Sequence, residues 1–269
     1  MDSGSVEQVH AHYPFPKAPT ALDWVACNYD TKVPAKPIGP FFMNYGYWYR
    51  NTTTLKESSE NLMEKLTAGF QGKGNILDVA CGYGGTTDWL SRRWDPSRVT
   101  GTNLTETQIK YCRQNVPGVA FHVMDAARLE FAPESYDAII SVEAALHFDT
   151  RDQFLGCAHR ILKKGGTLAV TDLTVIKDAH KYVAGLPEAN YIPTLADYKQ
   201  KLHGIGFSKV DVIDISEEGM NSHFSFQFTT AHENWMHGKA DFDFMHTWLG
   251  PIYMTRCLLR QNLLCIATK

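Results

Sequence analysis

The sequence predicts an α/β fold: an open, doubly wound parallel sheet with helices on both faces. Three observations predict it. Short apolar runs alternate with amphipathic stretches of helical length from about residue 55 onward. A glycine-rich turn, Gly82-Tyr83-Gly84-Gly85, joins the first run to the next helical stretch. The chain of 269 residues, 44% hydrophobic and 20% charged, is long enough for one sizeable core.

The elements follow in order. Residues 1–54 are rich in proline and aromatics, and Pro34, Pro37 and Pro40 predict an extended N-terminal arm. Thr54 with Glu57 forms a capping box, opening a helix with Leu55, Leu62, Met63, Leu66 and Phe70 at helical spacing; Gly69, Gly72 and Gly74 end it. Strands are predicted at Asn75 to Ala80, Val99 to Asn103, Val119 to Met124 and Tyr136 to Val142. Thr105 with Gln108 caps a helix after the second strand. Thr150 with Gln153 caps another, carrying Phe154, Leu155, Ala158, Ile161 and Leu162. Lys163-Lys164-Gly165-Gly166 is expected to stop that helix, with cations at its negative end and a left-handed glycine. A fifth strand covers Thr167 to Leu173. Thr194 with Asp197 opens a helix through Leu202 that ends near Gly204 and Gly206. Val210 to Ile215 and Leu258 to Thr268 complete the strands. The expected organisation is an arm over 1–54, then one domain over 55–269 with insertions near 174–193 and 217–256.

Composition narrows the partners. A formal charge of −3 argues against nucleic acid, because phosphate neutralisation needs clustered Lys and Arg. No 18-residue apolar run is present, so no membrane span is expected. The six cysteines (27, 81, 112, 157, 257 and 265) form no C-x-x-C pair and no zinc spacing, so no metal is expected. Scattered thiols behind an N-terminus without an apolar leader fit the reducing cytoplasm. Cys81 reads as a small packing residue in a crowded turn.

Asp78 lies inside the first strand, four residues before Gly82, and Thr87 holds the position of a third dinucleotide glycine. A carboxylate there would repel a pyrophosphate and attract a cationic ligand. S-adenosylmethionine, with a sulfonium and an ammonium, suits Asp78 better than a nicotinamide dinucleotide does.

The chain resembles the class I S-adenosylmethionine-dependent methyltransferases, in their small-molecule branch of sterol, ubiquinone-pathway, cyclopropane-lipid and natural-product enzymes. The likeness rests on LDVACGYGG (77–85), VTGTNLTETQI (99–109), MDAARLEF (124–131), YDAIISVEAALHF (136–148) and ILKKGGTLAVTD (161–172). It implies a Rossmann-like sheet of seven strands with a C-terminal lid insertion, and S-adenosyl-L-methionine as cofactor. By that resemblance Asp78, Ala80, Gly82 and Gly84 would flank its methionine part. Asn103, where many relatives have an acid, would take the ribose slot beside Leu104. Asp125 and Ala126 would meet the adenine. Gln108 keeps two readings, an adenosine contact or only the partner of Thr105 in a capping box.

Ligands bind such sheets at the carboxyl ends of the strands. His147, just after the fourth strand, is the candidate base, because an imidazole takes a proton near neutral pH. Asp172, ending the fifth strand, is placed to orient it, and some natural-product O-methyltransferases pair such residues. The plainer alternative has His147 capping a turn and Asp172 accepting backbone bonds. Glu143 would support the cofactor's amino group or the acceptor, or sit as a hydrated loop carboxylate.

Six of the nine residues 41–49 are aromatic, as are eight of the 31 residues 223–253. In related enzymes an NxGYW-like segment closes over the cofactor, so Tyr45 and Tyr47 would touch its methionine end. The aromatics together predict a lid over an apolar or aromatic small-molecule acceptor. Core packing and a homodimer contact are the alternatives. The leading reading is methyl transfer to O, N or C of a small, mostly apolar metabolite. A bound-cofactor cyclase without methyl transfer is the second, and a nicotinamide oxidoreductase, disfavoured by Asp78, the third.

Overall fold

The computed structural model describes residues 41–70, 74–183 and 185–269, with 242, 244, 246–248 and 251 described by backbone alone. Pro34, Pro37, Pro40 and Gly72 lie outside the described residues, as do the side chains of Phe242, Phe244 and Trp248.

Seven strands form one sheet: β1 (Ile76–Val79), β2 (Val99–Asn103), β3 (Ala120–Val123), β4 (Tyr136–Val142), β5 (Leu162–Val175), β6 (Lys209–Asp214) and β7 (Leu259–Thr268). Their order is β3-β2-β1-β4-β5-β7-β6. β1 to β5 pair in parallel, while β7 runs antiparallel between β5 and β6. The helices are α1 (Leu55–Thr67), α2 (Gly85–Ser91), α3 (Glu106–Asn115), α4 (Arg151–Ile161), α5 (Leu195–Ile205), α6 (Ser222–Met236) and α7 (Phe242–Leu258).

Period-two alternation along the strands splits the core into two layers. Leu77, Val79, Ile139, Leu168, Val170, Leu263 and Cys265 face α4 and α5, packing on Phe154, Leu155, Tyr198 and Leu202. The intervening residues Ile76, Ala138, Ile140, Ala169 and Leu264 face Leu62, Met63, Leu66, Trp89 and Leu90 of α1 and α2. Each buried aliphatic chain contributes roughly 1.5–3 kcal/mol. Both faces are covered, which is why the central strands read as near-continuous apolar runs.

Three capping sites form as expected. Thr54 accepts from Glu57 N at 3.1 Å, Thr150 from Gln153 N at 3.4 Å and Thr194 from Asp197 N at 3.2 Å. The reciprocal bond at α1 slips by one residue: Glu57 accepts from Thr53 N at 2.9 Å. Two expectations fail. Gln108 does not close a box with Thr105, because Asn103 takes its side-chain oxygen. α4 ends at Ile161, and Leu162 is already extended, so β5 starts five residues earlier than expected. Gly165 is left-handed at φ 75°, but inside the strand segment rather than at the helix end. Lys269 caps this stretch instead, with Gly165 N donating to its carbonyl at 3.0 Å.

The segment after residue 41 lies along the glycine turn and α1. Phe41 bridges Gly84, Tyr47 N donates to Ser58 O at 2.7 Å, and Trp48 N donates to Glu218 O at 2.7 Å. It therefore spans from the turn to the start of the second insertion, where a π-helical turn (Glu217–Asn221) leads into α6.

Candidate active site

The turn after β1 places three alternate residues in left-handed backbone: Ala80 (φ 62°), Gly82 (55°) and Gly84 (84°). For Ala80 this costs about 1–2 kcal/mol. Cys81 N holds the turn to β2 by donating to Thr102 O at 2.9 Å. A side chain at Gly85 would put its Cβ 2.4 Å from the Phe41 carbonyl carbon, so glycine is what admits the N-terminal segment. At Gly82 a Cβ would meet only Met43 Sδ at 3.5 Å, leaving an approachable backbone cradle.

Asp78 is buried beneath this cradle. Its Oδ2 accepts from Thr86 Oγ1 and Thr87 Oγ1, both at 2.6 Å. Burial pushes its carboxyl up to about 6 against the pull of these two hydroxyls. The threonine at 87 thus serves Asp78, and the acid ties the first turn of α2 to the strand.

At the end of β2, Asn103 Nδ2 donates to Gln108 Oε1, and Asn103 Oδ1 accepts from Leu104 N at 2.9 Å. Gln108 therefore fixes the Asn103 amide at the end of β2. Asp125 Oδ1 accepts from Ala127 N at 2.9 Å, capping the short turn Ala126–Arg128 beyond β3, with Ala126 buried next to it.

At the end of β4, Glu143 takes left-handed backbone (φ 54°) and its N donates to Thr171 O at 2.8 Å. Its carboxylate accepts from Tyr45 N at 2.8 Å and from Asn262 Nδ2 at 3.0 Å. Burial pushes the group up to about 7. Glu143 thus joins the N-terminal segment to β7, a pairing with no signal in the sequence. Four residues on, His147 closes the 3-10 turn Ala145–His147. Burial, against the opposing effect of the Gly185 backbone and with a smaller push from the Arg151 charge, lowers its imidazole to about 4.

The expected dyad is corrected. Asp172, buried, accepts from Arg151 Nε at 2.6 Å, Arg151 Nη2 at 3.1 Å, Tyr198 OH at 2.9 Å and Leu173 N at 2.9 Å. Residue 172 points into the α4 and α5 layer, where a buried guanidinium neutralises it. Sequence reasoning missed Arg151 because an arginine in the first turn of a helix reads as a surface residue.

Tyr45 and Tyr47 also part company. Tyr45 has its ring 4.9 Å from His223 and 5.3 Å from Phe224, while its backbone N–H is held by Glu143. Tyr47 instead packs in the α1 layer, with Lys65 Nζ 4.3 Å from its ring centre, so the expected cofactor contact is corrected. Around Tyr45, an apolar cluster of Leu146, Leu173, Met220, Phe224 and Leu259 adjoins Leu186, Phe228 and Ile252. The described part of the second insertion thus contributes apolar side chains directly above the strand ends.

An open sheet of this order, with a glycine cradle ringed by acids and amides rather than cations, defines a class I S-adenosylmethionine-dependent methyltransferase. The chain belongs to that methyltransferase family. Residues 77–170 match the family described as Methyltransferase domain. The chain is similar to Methyltransferase GfsG of Streptomyces halstedii, 30% identical over 197 residues, 65% of this chain and 69% of that protein. It is likewise 30% identical over 203 residues to Erythromycin 3''-O-methyltransferase of Saccharopolyspora erythraea, covering 66% of each. The crystal structure of the [4+2]-cyclase SpnF is similar with a TM-score of 0.70 at 21% identity, over 95% of this chain and 98% of that one. Its likeness carries the fold. The cofactor is S-adenosyl-L-methionine, and the donor set fits it: an uncharged backbone cradle, the Asn103 amide, and carboxylates at 78, 125 and 143 suit a cationic adenosyl ligand. Among the described residues no group of His, Cys, Asp or Glu could hold a metal ion, and no helix is long and apolar enough to cross a membrane.

Proposed function

We propose that this enzyme methylates an oxygen of a small, largely apolar metabolite at the carboxyl edge of β4. The observation that carries the reading is the apolar cluster of Leu146, Leu173, Met220 and Phe224, with the buried His147 following Leu146 in the chain and Tyr45, packed on the cluster, donating its N–H to the buried Glu143. The cofactor supplies an electrophilic methyl group on a sulfonium. The residues proposed to hold it are Gly82, Gly84 and Ala80 through backbone, Asn103 with Leu104 at the ribose, Asp125 and Ala126 at the adenine, and Asp78, Glu143 and Tyr45 at the methionine end.

The chain's own groups do three things in this account. The apolar cluster binds the acceptor and excludes water. Glu143, fixed by Tyr45 N and Asn262, holds negative charge near the reacting centre. His147, uncharged above about pH 4, accepts the hydroxyl proton at an imidazole nitrogen as the oxygen loses it. A hydroxyl acceptor needs such a group, whereas a neutral amine does not. A relative named as an O-methyltransferase supports the same choice.

An acceptor screen by mass spectrometry tests this. Hydroxylated apolar compounds should gain one methyl group, and His147→Ala should lower turnover about 10²-fold or more with cofactor affinity within twofold of wild type. Gain of a methyl only by amines, or unchanged turnover in the variant, would remove the oxygen-and-base reading.

A further inference from the structure

The turn that carries His147 is gripped by a single side chain from the first insertion. Asn190, buried, ends the 3-10 turn Glu188–Asn190. Its Nδ2 donates to Leu146 O at 3.0 Å and to Phe148 O at 2.7 Å, the carbonyls on either side of His147. Its Oδ1 accepts from Arg151 N at 2.7 Å, and its carbonyl accepts from Arg151 Nη1. The same insertion reaches the imidazole itself through the Gly185 backbone. One asparagine side chain therefore satisfies three backbone groups of residues 146–151.

We propose that Asn190 is a positioning residue for His147, locking the Ala145–His147 turn to the first insertion so that the imidazole is aimed and kept dry. The proposal rests on His147 as the proton acceptor, but its geometry stands apart from that reading. With the insertion docked, the imidazole is shielded; with the grip lost, the turn is free to swing toward water. Arg151 from α4 is the charged group beside the imidazole. Asp172 from β5 is taken up by Arg151 and Tyr198, and Glu143 ends β4 by holding Tyr45 N and Asn262. From the insertion, Asp178, His180 and Glu188 line the cleft that Leu146 and Asn190 also line. These are the groups whose charge could act on the imidazole.

The test follows histidine imidazole resonances by NMR from pH 4.5 to 8.5 in full-length, histidine-labelled protein, with the His147 signal assigned by its loss in His147→Ala. In the wild type His147 should not titrate above about pH 5.5. In Asn190→Ala, or in Asn190→Ser should the alanine variant fail to fold, its titration should move up by about two pH units, toward the ordinary histidine value. Tyr198→Phe removes a bond to Asp172 in the same buried network without touching residues 146–148, and should leave the His147 titration in place. S-adenosylhomocysteine binding by calorimetry verifies that each variant is folded. A wild-type titration curve in the folded Asn190 variant, or an equal movement in Tyr198→Phe, would overturn the proposal. Neither result depends on turnover, so failure of the base reading, seen as unchanged turnover in His147→Ala, is distinguished from failure of this one.

Discussion

Burial holds the Glu143 carboxyl up to about 7, between the Tyr45 N–H and the Asn262 amide. Unfolded, the group titrates near 4.5. Between these values the folded protein keeps a proton that the unfolded chain has lost, so stability falls as pH rises through that window. Glu143→Gln removes the charge, and Asn262, whose Oδ1 is buried without a partner, can turn its amide to accept from the new NH2 group. The variant should gain about 2–3 kcal/mol over wild type at pH 8 and match it at pH 5. Thermal melts at the two pH values check this; a variant less stable at pH 8 contradicts it. The same group should set the acid limb of kcat/KM near pH 7, because His147 stays neutral down to about 4. A limb that persists in Glu143→Gln would assign it elsewhere. Residue identities at these positions were legible in the sequence, since motif spacing puts Asp78, Asn103, Asp125, Glu143 and His147 at strand ends. The long-range partners were not: Asn262 lies 119 residues from Glu143, Arg151 21 from Asp172 and Asn190 44 from Leu146.

The elements show the same division. Capping boxes at Thr54, Thr150 and Thr194 were readable, but the box at Thr105 lost its glutamine to Asn103, five residues earlier at the end of β2. The lysine–glycine run after α4 carried a helix-stop signal, yet Leu162 pairs with Tyr136 of β4 and residues 165 and 166 bond Lys269, so the strand extends through it. α4 and β5 are joined by the buried Arg151–Asp172 pair. Arg151→Met should destabilise by about 3–5 kcal/mol, since it strands a buried carboxylate, whereas Arg151→Met with Asp172→Leu should recover part of that loss. Urea unfolding measures both; a double variant no better than the single would show that the pair is not the cause. After β1, Gly85→Ala forces the segment at Phe41 away from the turn. Affinity for S-adenosylhomocysteine should fall about tenfold or more, as calorimetry would report. Undiminished affinity would mean that this segment does not shape the cofactor site.

Across the whole molecule, alternation of apolar runs and helices announced the parallel strands β1 to β5. It could not announce that β7 runs antiparallel between β5 and β6, because side-chain periodicity has no direction along the sheet. The aromatic excess also resolved only in three dimensions: Tyr47 went to the core, while Tyr45 and Phe224 came together. What remains at the strand ends is an apolar cluster packed around Tyr45, whose N–H is held by Glu143, in a protein of the methyltransferase family. The most direct test supplies methyl-labelled S-adenosylmethionine with a pool of apolar hydroxylated metabolites and follows the label. One labelled methyl should appear in an organic-extractable product for each S-adenosylhomocysteine formed, with both falling about 10²-fold or more in His147→Ala. A product that forms without label while the cofactor stays intact would contradict the proposed methyl transfer.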